Sequence, residues 1–319
     1  MTKLSKAEVR KLDDAARAGW LYYVAGKTQD EIAKKLNISR QSAQRMVALS
    51  VSGGLIKVRL DHPIAKCMDL AVKLKSRFGL LSCEVVPSDD SDPSSTLGLA
   101  QAGAAAIERH LKSTEPKVLA MGTGRVLRAC VDELPSLECE QHKIVALLGN
   151  MASDGSASSY DVVVRMAEHI NAKHYPMPLP VLPRSKKEKE QLHAQAYVAG
   201  NLKLAEHADV TFVGIGNLGP QSPLHLDGFI TNKELDELES KGAVGEMISW
   251  VFDRQGKLLD CPVNQRVAST PLLVSSNKPV YGIAAGEEKV EAILGAVRSK
   301  MINGLITNEY TAERLLSSE

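Results

Sequence analysis

The sequence predicts an α/β chain in two parts: a three-helix, winged helix-turn-helix domain over residues 1–60, and a Rossmann-like domain with a parallel sheet over residues 61–319. Two short helices joined by a tight turn can be read between Lys27 and Ser52. Beyond residue 60, apolar strands ending in glycine alternate with helices, the rhythm of a parallel sheet covered on both faces. Charge divides at the same place: residues 1–60 hold 12 Lys/Arg against 5 Asp/Glu, and the remainder 27 against 33. A net charge of +1 therefore hides a basic head on an acidic body, and a basic head is the footprint that a phosphate backbone selects.

Residues 6–25 read as one helix with Val9, Leu12, Ala16, Trp20 and Tyr23 along a stripe, expected to pack on the helix pair that follows. Thr28 can cap the first helix of that pair, and Glu31 can complete a capping box. Ile32, Ala33 and Leu36 share its inner face, Asn37 suits a left-handed turn, and Ile38 plugs the corner. Ser39 can cap a second helix that buries Ala43, Met46 and Val47. Arg40, Gln41, Gln44 and Arg45 then point outward, and guanidinium and amide groups read guanine and adenine edges in a major groove. Two plain amphipathic helices would share this spacing; its coincidence with the basic charge favours double-stranded operator DNA as the partner, with Thr28 and Ser39 counted among the contact residues. After Gly53-Gly54, LIKVRL (55–60) alternates as a strand that could form a wing, with Lys57 and Arg59 on its outer face.

Asp61-His62-Pro63 reads as the linker, and AKCMDLAVKLKSRFGL (65–80) as an amphipathic helix. A strand and a polar loop rich in Ser, Asp and Pro follow. Strands are expected at 117–125, 143–150, 209–217 and 278–286, a strand-like ISWVFD after residue 247, and helices at 160–172, 186–208 and 231–241, with two closing helices after residue 286.

Composition narrows the function classes. No apolar run approaches a membrane span, and the charged N-terminus is not a signal sequence. Cys67, Cys83, Cys130, Cys139 and Cys261 are odd in number and never paired as C-x-x-C, which suggests reduced thiols of a cytoplasmic protein and neither a disulfide framework nor a metal site. An aromatic content of 4% argues against a stacking platform for single strands.

Loops at the carboxyl ends of parallel strands converge, so the glycine loops should rim one cleft. Gly122, Thr123, Gly124 and Arg125 offer close backbone amides, a hydroxyl, a guanidinium and the positive end of the next helix. Gly149 and Asn150 end the next strand, and Gly214 to Asn217, with Gly216 between, end another. Glu246 follows a flexible turn and can accept from sugar hydroxyls; Lys289 and Arg298 lie on the helix after Gly286; Asp161 and His225 are further candidates. Gly214 to Gly219 matches G-x-G-x-x-G, but Pro220 and Pro223 prevent a helix from starting inside the motif, so no dinucleotide cofactor is expected.

These features together, with YPMPLP, VGIGNLG, GAVGEM followed by FD, and the C-terminal AAGEEKVEAILGAVRSKMINGLITNEYTAERLL, resemble the SorC family of bacterial sugar-responsive transcriptional regulators over nearly the whole chain. The resemblance implies a helix-turn-helix head and an isomerase-like domain that senses and does not catalyse, assembled as a homo-oligomer, commonly a tetramer. It implies an effector held by Gly122, Thr123, Gly124, Arg125, Gly149, Asn150, Glu246 and Lys289. Many members carry Thr or Ser after G-x-G-R, where this chain has Val126; the missing hydroxyl favours a free sugar or polyol over a sugar phosphate.

Two functions remain to be separated. One is a regulator whose operator affinity is switched by a small sugar, polyol or sugar phosphate. The other is a sugar-phosphate isomerase using the same cleft, which needs a base at the substrate carbon. Asp161, Glu246 and His225 show no diagnostic spacing for that task, and an isomerase leaves the helix-turn-helix unexplained.

Overall fold

The computed structural model describes residues 6–56, 64–89, 92, 95–151, 156 and 162–318. The chain parts into two compact units, Met1–His62 and Pro63–Glu319. The wing residues 57–60, the linker 61–63 and Asp161 lie outside the described residues.

The first unit is three helices, α1 (Lys6–Tyr23), α2 (Gln29–Leu36) and α3 (Arg40–Ser52). Local chemistry sets each boundary. Thr28 and Glu31 form the full capping box: the Glu31 N–H donates to Thr28 Oγ1 at 3.3 Å, and the Thr28 N–H donates to Glu31 Oε2 at 2.8 Å. Asn37 ends α2 in the left-handed conformation (φ 53°), and Ser39 accepts the Ser42 N–H at 3.1 Å to start α3. Ile32, Ala33, Ala43 and Val47 are buried, joined by Ala18 and Leu21, with Leu36, Ile38 and Met46 packed at the edge.

The inward face of α1 differs from the expected stripe. Ala15, Ala18 and Leu21 are buried, whereas Val9, Trp20 and Tyr23 are exposed. Small residues decide the matter: a Cβ on Gly19 would overlap the Ser50 hydroxyl of α3, so the helices meet where α1 is thinnest and its bulky residues are turned outward.

The second unit runs α4 (Ala65–Phe78), β1 (Ser82–Val86), α5 (Leu97–Leu111), β2 (Val118–Met121), α6 (Arg125–Asp132), β3 (Lys143–Ala146), α7 (Val163–Ile170) and β4 (Lys173–Tyr175). It continues through α8 (Lys186–His193), α9 (Ala196–Glu206), β5 (Val210–Gly214), β6 (Gly216–Asn217), α10 (Pro223–Leu226), α11 (Asn232–Ser240), β7 (Ala243–Met247) and β8 (Trp250–Asp253). It closes with α12 (Pro262–Arg266), β9 (Val280–Ile283), a 3₁₀ turn (Glu287–Lys289), α13 (Val290–Arg298), β10 (Gly304–Asn308) and α14 (Glu309–Ser317).

Seven strands form one parallel sheet in the order β1-β10-β9-β5-β2-β3-β4. Alternation along each strand splits the core into two layers. Ala120, Val145 and Val213 face one layer, which holds Leu70 and Leu74 of α4 and Ile293 and Val297 of α13. Their neighbours Leu119, Met121, Ile144 and Phe212 face the other, with Ile107 of α5, Leu127 of α6 and Met166 of α7. A small antiparallel sheet, β6-β7-β8, stands apart from the main one.

Four expectations about elements are corrected. The segment 186–208 is two helices interrupted at Ala194-Gln195, and helix α7 stops at Ile170 because Asn171 turns left-handed (φ 49°). The glycine-ended strand at 209–217 is two, since Gly216-Asn217 leaves the main sheet to pair with β7. A further strand, β10, lies between the closing helices; buried on both faces, Gly304–Asn308 carries no alternation to mark it.

Candidate functional site

The main sheet reverses its strand order between β2 and β5: the chain moves outward from β2 through β3 to β4, then returns to β5 on the other side of β2. The loops leaving Met121 and Gly214 therefore diverge, and the crevice between them is where ligands bind in open parallel sheets. A cleft of about 400 Å³ opens there.

Thr123, Gly124 and Arg125 form one wall, Gly149 another, and Gly214 to Asn217 a third. Gly124 adopts φ 118°, open to glycine and strained for other residues, and delivers the chain to the N-terminus of α6. Gly216 has a different reason: a Cβ there would overlap the Glu246 carboxylate on paired strand β7.

Glu246 sits in the cleft wall, its Oε2 accepting the Ser249 N–H at 2.7 Å. That bond closes the β7–β8 hairpin, whose central residues Ile248 (φ 45°) and Ser249 (φ 71°) are both left-handed as a type I′ turn demands. Isoleucine is strained in this region, and its burial together with the Glu246 bond holds it there. Desolvation raises the Glu246 carboxyl above the usual glutamate range, while the Ser249 N–H and the Lys289 charge pull the other way. Lys289, brought in by the 3₁₀ turn after Gly286, is lowered chiefly by desolvation and also by Arg125, against the attraction of Glu288 and Glu246.

Of the residues expected from sequence, Thr123, Gly124, Arg125, Gly149, Gly216, Glu246 and Lys289 all line this cleft. Gly122 and Asn150 border a small adjoining cavity that shares Thr123 and Gly149. His225 lies beside the cleft and not in it: its ring nitrogens meet Pro220 O at 2.9 Å and Asn232 Oδ1 at 2.6 Å, and both contacts raise its pKa. Arg298 is at the far end of α13, exposed and outside the lining. Val126 is buried in the wall, so no hydroxyl faces the cleft at that place. Gln221, Asp227, Ser249 and Glu288 also line it and were not anticipated. Ser249 comes from the β7–β8 turn and Glu288 from the 3₁₀ turn, while Gln221 and Asp227 flank α10 after Gly219, where Pro220 and Pro223 were the one sequence signal of a loop.

In the first unit, Arg40, Gln41, Gln44 and Arg45 are exposed on α3. Arg40 Nε lies 3.5 Å from Asp30 Oδ1, and Arg45 donates to Ser42 Oγ at 3.4 Å. Thr28 and Ser39 are committed to helix caps.

A family model described as "Putative sugar-binding domain" matches residues 62–317. The chain is 33% identical over 302 residues to the erythritol catabolism regulatory protein EryD of Brucella abortus, covering 95% of this chain and 96% of that one. It is 29% identical over 312 residues to the transcriptional regulator LsrR of Escherichia coli O9:H4, covering 96% and 95%. Among solved structures, the full-length sorbitol operon regulator SorC of Klebsiella pneumoniae superposes with a TM-score of 0.70 at 25% identity, over 97% of this chain and 100% of that one. The chain belongs to the SorC family. It is a DNA-binding transcriptional regulator with a sugar-binding sensor domain, and the isomerase alternative is dropped because the SorC-family relatives it matches are regulators. No helix among the described residues is long and apolar enough to cross a membrane.

Proposed function

We propose that this SorC-family chain controls a polyol catabolic operon, reading operator DNA with Arg40, Gln41, Gln44 and Arg45 and sensing an uncharged polyol or free sugar in the strand-end cleft. The observation that carries the effector class is the charge of the lining: Arg125 and Lys289 face three carboxylates, Glu246, Glu288 and Asp227. A phosphate dianion would meet that carboxylate excess, whereas hydroxyl groups can donate to carboxylates and accept from the cations. Val126, apolar where a hydroxyl would assist an anion, supports the same reading. So does the erythritol named for the relative at 33% identity.

The chain works as a homo-oligomer, tetramer or dimer, because two heads on one assembly are needed to grip two operator half-sites one helical turn apart. The effector shifts that assembly between arrangements of unequal DNA affinity.

A thermal-shift screen against free polyols, free sugars and their phosphates tests the effector class. A ligand at 100 times its Kd stabilises the native state by about 2.7 kcal/mol. Stabilisation by a free polyol or sugar supports the reading, and stabilisation by phosphates alone overturns it. Light scattering of the purified protein tests the assembly; a monomer mass would contradict it.

A further inference from the structure

A second cavity, of about 750 Å³, lies away from the strand-end cleft between helix α9 and the sheet face formed by Leu147, Thr211 and Val213. Its size is that of a small-molecule site, and its walls are mainly apolar, with Leu202, Trp250 and Leu272 among them. Lys189 and Lys203 add two cations to the lining against one carboxylate, Glu206. The Lys189 ammonium sits 4.9 Å from the Trp250 ring centroid and makes no salt bridge among the described residues. His193 is already engaged, with Nε2 at 2.9 Å from Ala268 O.

We propose that this cavity is a second ligand site, taking a small molecule with an apolar body and a single acidic head group. The apolar walls take the body, and Lys189 and Lys203 the negative charge. The site is distinct from the effector cleft, although Ile248 borders both.

Calorimetric titration of the full-length protein with sodium decanoate, below its micelle concentration, tests this. Saturable binding of one decanoate per chain is expected. Ala199→Trp should block the mouth, because Ala199 is exposed at the rim, and Lys189→Met should remove the charge partner; each should weaken binding at least tenfold with an unchanged melting curve. Arg125→Ala, in the other cleft, should leave binding as it was. Absence of saturable binding, or equal binding by Ala199→Trp and Lys189→Met, overturns the proposal. So does a change of oligomer mass in those variants without decanoate binding to the unmodified protein, since a second copy of the chain would then cover the cavity.

Discussion

Glu246 concentrates the chemistry of the strand-end cleft in one side chain. Its carboxylate accepts a ligand hydroxyl most strongly when ionised, and desolvation raises its pKa, so the ionised form is lost at a higher pH than for an ordinary glutamate. Effector affinity should therefore fall as pH is lowered, starting above the range in which an ordinary glutamate titrates, and Glu246→Gln, weaker overall, should show a flatter profile in calorimetry. A pH-independent affinity in the unmodified protein would remove Glu246 from the ligand's contacts. Gly216 gives a second test at this scale. Gly216→Ala should displace the Glu246 carboxylate and lower effector affinity tenfold or more. Gly200→Ala, with open space around its added carbon inside α9, should instead raise stability by about 0.5–1 kcal/mol in denaturant titration. Seven of the ten residues expected to hold an effector line the strand-end cleft, because glycine loops and their neighbouring charges stand out in sequence. Asp227 and Gln221 were not legible, because only the fold brings them to that cleft.

At the scale of elements, α2 and α3 were legible to the residue because caps are local: Thr28, Glu31, Asn37 and Ser39 each act within four positions. The face of α1 was not, because close approach at Gly19 outweighs the reach of Trp20 and Tyr23, and that is a property of two helices together. Caps and readers should separate experimentally. Arg45→Ala should cost about 1–3 kcal/mol of specific operator binding in anisotropy titrations and leave the melting curve unchanged. Thr28→Ala should lower the stability of the first unit by about 1 kcal/mol. Equal DNA affinity in Arg40→Ala, Arg45→Ala and the unmodified protein would sink the reader-helix assignment. In the sensor, His110 of α5 lies among the rings of Phe212 and Tyr281, and burial lowers its pKa to about 4. The unfolded chain binds this proton more readily than the native one between about pH 6.5 and 4, so stability is present above that window and lost as pH falls through it. The sensor's melting temperature should fall across the window, and His110→Leu should flatten the fall.

For the whole molecule, one chain joins a basic three-helix unit to a parallel-sheet sensor whose cleft sits where the strand order reverses. The division of charge and the strand–glycine rhythm announced both units, while β10 and the small β6-β7-β8 sheet emerged only from long-range pairing. Regulation requires that the effector bind two arrangements of the protein unequally, and ordinary coupling of about 1–3 kcal/mol corresponds to roughly a five- to 150-fold change in DNA affinity. The direct measurement is fluorescence anisotropy of a duplex selected by the full-length protein, titrated at fixed salt with and without free polyols, free sugars and their phosphates. A free polyol or sugar should change operator affinity at least fivefold, the phosphates should not, and Glu246→Ala should abolish the change while retaining DNA binding. An operator affinity indifferent to every free polyol and sugar, or shifted equally in Glu246→Ala, would contradict sensing of an uncharged ligand in the strand-end cleft.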